Sequence, residues 1–245
     1  YTVGSFAIPA LLIPLLLTYL DIELKEPLIC IILPIISTGL WFLYGNPQLD
    51  PMYSGLAISA LLCFFNFRSP YAYVGIKKAL KLDIKLKFIP FCYVPKEILE
   101  AVTLNNPYKR DYLMEDCKRL FDELDTPLVK EIPADCNWPS VHAAWTEVNK
   151  TNKGLNFMMK IFEMRFEKGL NVGDKDIITN ICEDIDVEPS IAISAMDNED
   201  IDNDLKSLTK IMRELKVFGV PTFIYKKERF WGQDRLNYLK NIKDN

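Results

Sequence analysis

The feature that most limits the fold is a change of hydrophobic period at both ends of a long helical stretch. ALLCFFNF, ending at Phe67, is a short aromatic run of buried-strand length. PYAYVGIKKALK follows with helical spacing, and DIKLKFIPF (Asp83 to Phe91) alternates as a second strand. From residue 96 to about 205 apolar residues recur at steps of three and four. YLMEDCKRLFDEL, LNFMMKIFEMRFEKGL and DKDIITNICEDI are the clearest cases. The period then returns to strands: VFGVPTFIY is a glycine-proline turn feeding one, and KKERFWG a short antiparallel partner. GQDRLNYLKNI opens a last helix with Gln233 and Asp234 in its cap region. A βαβ unit should be right-handed with parallel strands.

The order βαβ, helical block, ββα describes an α/β protein: a thioredoxin-like fold with an all-helical insertion at about 96–205 of a domain spanning 56–245. Residues 1–55 differ from it, being almost uncharged outside DIELKE and Asp50. Ser5 to Leu20 and Pro27 to Gly45 form two apolar runs near the ~20 residues a membrane helix needs. They are expected to be two transmembrane helices, with residues 1–52 associating with a membrane. The loop between them is acidic and the segment after Ser69 is lysine-rich. The positive-inside tendency therefore puts the C-terminal domain in the cytoplasm.

Net charge is only −4, and no basic run is backed by a nucleic-acid motif, so nucleic acid is not expected as a partner. The six cysteines are scattered without C-x-x-C or zinc-type spacing, which suits a reducing compartment and offers no metal site. His142 is the single histidine and reads as a helix-face residue. The acidic EPSIAISAMDNEDIDNDLKSL reads as a solvated turn and helix start, since it lacks the calcium-loop spacing and glycine.

NFRSPYAYVG breaks an apolar run with a serine and a proline. Ser69 before Pro70 is a favoured N-cap followed by a favoured first helical residue. The same hydroxyl is also placed to face a ligand, and the stretch alone leaves both roles open.

FNFRSPYAYVG resembles the opening F-D-F-x-S-P-Y-A-Y segment of 2-hydroxychromene-2-carboxylate isomerases, and VFGVPTFIYKKERFWGQDRLNYL resembles their closing segment. KRDYLMEDCKRL and FEMRFEKGLNVGDKDII are similar to helices between them, so the likeness covers roughly residues 60 to 243. Kappa-class glutathione transferases and the disulfide oxidoreductase A family share that fold. In the redox relatives C-x-x-C sits where this chain has Ser69-Pro70-Tyr71-Ala72, so dithiol chemistry is not expected.

The resemblance implies that Ser69 binds the sulfur of glutathione, the one cofactor implied, and that Val220–Pro221 is a cis bond exposing Val220 to the glutathione backbone. It implies that Gln233 and Asp234 hold the γ-glutamyl end. Lys109, and Asn106 of Asn105-Asn106-Pro107, match further ligand positions. Phe67, Tyr71 and Trp231 read either as core or as walls of an aromatic-substrate pocket. Asn66 departs from the pattern, standing where the family has aspartate.

The implied activity is glutathione-dependent isomerisation of a small aromatic-catabolism intermediate by reversible thiolate addition. A kappa-like transferase and a non-catalytic membrane-tethered binding domain are the alternatives, and the family likeness implies a homodimer.

Overall fold

The computed structural model describes residues 61–82, 84, 86–94, 98, 107–225 and 228–243. Both N-terminal apolar runs, and with them the expected transmembrane helices, lie outside the described residues, as does Asn106. Among the described residues no helix is long and apolar enough to cross a membrane. The chain divides into two compact units, Tyr1–Leu62 with Ile224–Arg229 and Cys63–Phe223 with Phe230–Asn245. All described residues of the candidate site belong to the second.

The described elements, in chain order, are β1 (Leu62–Phe65), α1 (Pro70–Lys81), β2 (Lys87–Pro90), α2 (Pro107–Glu123), α3 (Trp138–Val148), α4 (Gly154–Phe166), α5 (Lys175–Asp184), α6 (Pro189–Met196), α7 (Glu199–Glu214), β3 (Thr222–Tyr225), β4 (Glu228–Trp231) and α8 (Leu236–Lys243). A 3-10 turn at Gln233–Arg235 leads into α8. The strands form one sheet in the order β2-β1-β3-β4. All four residues of β1 are buried, whereas three of the four in the edge strand β4 are exposed.

Two extents differ from the sequence reading. The first strand stops at Phe65, because Asn66 to Ser69 already turn: the Ser69 N–H donates to the Asn66 carbonyl at 3.0 Å. The acidic stretch holds two helices, with Asn198 capping α7 through the N–H groups of Asp200 and Ile201. The eight residues of α6 are too few and too apolar for period alone to reveal them.

An aromatic stack joins α1 to the helical block. Tyr73 lies parallel to Phe162 with ring centres 5.1 Å apart, and Phe162 also meets Phe67 at 5.1 Å. Phe65 meets Trp145 edge-on at 4.9 Å. Such contacts between fully buried rings stabilise by about 0.5–1.5 kcal/mol beyond area burial. They fix the backbone that carries Ser69.

Candidate functional site

The approach to Ser69 is clamped from both sides. The Asn66 amide donates to the Phe91 carbonyl just after β2 at 2.6 Å, while its oxygen accepts from the Arg68 N–H at 2.8 Å. An aspartate could not make the first bond when ionised, which gives this chain's departure a physical reason. His142 on α3 is fully buried. Its Nδ1 lies 2.7 Å from the Trp138 carbonyl, and its Nε2 accepts from the Phe67 N–H at 3.3 Å. Those partners require the neutral tautomer with the proton on Nδ1. Burial pushes this imidazole down to about 4, so it stays uncharged near neutrality.

Ser69 sits at the N-cap of α1 in an extended conformation (φ −94°, ψ 114°), and its Oγ accepts from the Ala72 N–H at 3.2 Å. That bond uses a lone pair and leaves the hydroxyl proton to donate elsewhere. Pro70 occupies the first turn, which holds no acidic side chain, so the partial positive charge of the helix end is not offset from within the helix. Tyr71 is half-buried and donates its hydroxyl to Asp116 on α2 at 2.9 Å. Burial first, and then Asp116, pushes this phenol up, so it remains protonated.

The Val220–Pro221 bond is cis. Gly75, one helical turn into α1, is the seat for that proline: a Cβ there would come within 2.9 Å of Pro221 Cγ and 3.5 Å of Gln233 Cβ. The Gly232 N–H donates to the Pro221 carbonyl at 2.9 Å, tying the start of the last helix to the proline loop. Gly232 has φ +103°, a conformation that favours glycine. The middle of α1, Pro221 and Gln233 therefore form one contact set.

Gln233 and Asp234 occupy the 3-10 turn, and the Gln233 amide oxygen accepts from Lys78 Nζ at 2.7 Å. Lys78 also pairs with Glu123 at 3.0 Å. Beside them lies a cavity of about 520 Å³ lined by Lys78, Lys81, Glu123, Gln233 and Asp234 together with leucines and Asn237. Lys109 lies exposed on the first turn of α2. Phe67 is fully buried core, not a pocket wall. Trp231 is half-exposed and packs on Phe218 with ring centres 4.9 Å apart.

Sequence reasoning missed Asn66 as a clamp, His142 as a support for Phe67, and Lys78. Gly75 was visible as an isolated glycine in a helical pattern, a signal of close packing, but its partner was not. The residues around Ser69 and Gln233 suit glutathione: a hydroxyl with a spare proton at a helix N-terminus, and polar Gln233 seated over Gly75, about 9 Å further along α1.

Residues 60–242 match the DSBA-like thioredoxin domain family. The uncharacterized protein YwbO of Bacillus subtilis is 25% identical over 172 residues, covering 66% of this chain and 84% of the relative. Among solved structures, a 2-hydroxychromene-2-carboxylate isomerase superposes with a TM-score of 0.64 at 21% identity, over 75% of this chain and 94% of that one. The cytosolic disulfide reductase DsbM of Pseudomonas aeruginosa, solved with GSH, gives 0.53 at 13% identity over 75% and 94%. Both likenesses show the fold. With a match over three quarters of its length, the chain belongs to the DSBA-like thioredoxin domain family.

Proposed function

We propose that this protein is a glutathione-dependent isomerase acting on a conjugated aromatic-breakdown compound of the 2-hydroxychromene-2-carboxylate type. The observation that carries the reading is a serine at the α1 N-cap, its acceptor side used by Ala72 and its proton unassigned. An isomerase and a GSH-bound reductase among proteins of the same fold support it. The reading carries with it a cytoplasmic, glutathione-containing compartment for this domain.

Glutathione, when bound, supplies a thiolate that adds reversibly to the conjugated system and allows rotation before it leaves. Ser69 donates its hydroxyl proton to the sulfur. The N-terminus of α1 adds positive potential there. A free thiol has a pKa of about 8.5, and each unit by which the site lowers it corresponds to about 1.4 kcal/mol. Val220 offers its backbone to the cysteinyl residue, Gln233 and Asp234 take the γ-glutamyl end, and Lys109 and Asn106 serve as further ligand contacts.

The test is glutathione binding to the full-length chain, with thiolate absorbance followed across pH. Ser69→Ala should cost about 1 kcal/mol of stability through the lost cap and abolish the lowering of the thiol pKa. Ser69→Asp should keep the cap and the melting temperature yet still abolish the lowering, because an aspartate cannot donate and repels a thiolate. Unchanged thiol titration in both variants would overturn the reading. Recovery of glutathione intact after turnover separates isomerisation from transfer.

A further inference from the structure

We propose that Arg68 is a specificity-determining residue that reads the carboxylate of an aromatic-acid substrate, taking it in exchange for the resident carboxylate of Asp135. The inference rests on the reading of Ser69 as the sulfur ligand, and it names what recognises the other reactant.

Arg68 directly precedes Ser69, so its Cα lies about 3.8 Å from that of the serine. Its backbone is fixed, because the Asn66 side-chain oxygen accepts from its N–H at 2.8 Å. Its side chain crosses to the segment between α2 and α3, where Nη2 meets Asp135 at 2.7 Å. Among the described residues that carboxylate is the one hydrogen-bonding partner of the guanidinium, so most of its five N–H donors stay available. The two side chains are 39% and 49% exposed, and an ion pair so exposed holds weakly. Asp135 is thus a placeholder that an incoming carboxylate can replace. The glutathione contacts proposed above use neither residue.

The charge balance favours the replacement. Arg165 reaches the same carboxylate from α4 at 3.9 Å, so two guanidiniums share one acid. Arg165 is buried, donates to the Pro133 and Ala134 carbonyls, and lies over the Trp138 ring at 4.6 Å. Two buried donors of this cluster, Arg165 Nε and Trp138 Nε1, have no acceptor among the described residues. Burial pushes the Arg165 guanidinium down, and the charge of Arg68 adds to that, so the two cations sense each other. A cluster with a positive charge in excess and unanswered donors is short of an anion. The buried arginine holds the loop and supplies the field, while the exposed one is free to move and bind. A guanidinium suits a carboxylate because its planar fork can hold both oxygens. In a compound of the type named above, the carboxylate lies a few bonds from the conjugated carbons that a thiolate attacks, within reach of a residue beside Ser69.

An ion pair that only braces the loop would make Arg68 and Asp135 equivalent, so that losing either has the same effect. A carboxylate reader with a resident competitor makes them opposite. The experiment is calorimetric titration of the full-length chain, with and without glutathione, using 2-hydroxycinnamate and its neutral amide, for wild type, Arg68→Met and Asp135→Asn. Wild type should prefer the acid by about tenfold. Arg68→Met should abolish that preference and leave the amide unchanged. Asp135→Asn should tighten the acid by about threefold and leave the amide unchanged.

Binding of neither probe, equal binding of both by wild type, or the same loss in both variants overturns the inference. Glutathione titrated alone reports separately on the reading beneath it. Glutathione binding without a preference for the acid leaves that reading standing and removes Arg68 from it. A preference for the acid that Arg68→Met abolishes, with no binding of glutathione, overturns that reading and leaves Arg68 as a carboxylate site. If Arg68→Met fails to melt cooperatively, Asp135→Asn decides: an acid bound no tighter than by wild type overturns the inference.

Discussion

Asn66 and His142 each hold one short stretch of backbone in place, and each makes a prediction of known sign. Asn66→Asp should destabilise the fold at neutral pH by about 1–3 kcal/mol, because an ionised oxygen would face the Phe91 carbonyl where the amide now donates at 2.6 Å. Denaturant melts at pH 7 and at acidic pH check this: the variant's deficit should shrink once the new carboxyl is protonated and can donate. His142 binds no proton in the native state until about pH 4, whereas the unfolded chain takes one up near 6.5. Stability is therefore fully present above about 6.5 and falls as the pH drops toward 4, by roughly 3 kcal/mol from this group. His142→Leu should flatten that part of the pH curve while lowering stability at neutral pH, where the Phe67 N–H loses its acceptor. The capping role of Ser69 was legible because serine before proline is a local signal. The partners of Asn66 and His142 lie 25 and 75 residues away from the groups they hold, and single-sequence patterns carry no such pairing.

At the scale of elements, α1 is defined at three levels: its cap at Ser69, its seat for Pro221 at Gly75, and its ion pairs at Lys77 and Lys78. Gly75→Val should lower stability by about 1–3 kcal/mol, since the first added carbon already comes within 2.9 Å of Pro221. On the proposed glutathione reading the same variant should also weaken glutathione binding, because Pro221 and Gln233 both rest there. Thermal melting and calorimetry measure the two effects separately. The segment between α2 and α3 has no regular structure, yet buried Arg165 on α4 donates to the carbonyls of Pro133 at 3.0 Å and Ala134 at 3.5 Å. Arg165→Met should leave the helices formed and open residues 126–137 to limited proteolysis, read as a new early cleavage. Spacing of three and four made the long helices legible. A buried arginine serving a loop was not, since on a helix it is indistinguishable from a solvated one.

For the whole molecule, the order of strands and long helices could be read because every boundary between strand and helix is a change of period, and the motifs that carry the family likeness fall at those boundaries. The cavity could not. Its charged lining comes from α1, α2 and the 3-10 turn, residues 78, 81, 123 and 234, which no local pattern connects. The sulfur inventory has an optical consequence. All five described cysteines are free. Burial pushes Cys63 and Cys136 upward, Cys92 up to about 12, and Cys117 and Cys182 up to about 11. Between pH 6 and 9 the thiols of Cys63, Cys92, Cys117 and Cys182 contribute almost no thiolate absorbance. Those four thiols are in effect a dark cuvette in the band where a guest thiol lights up on ionising, and they will not blur the signal that Ser69 is proposed to create.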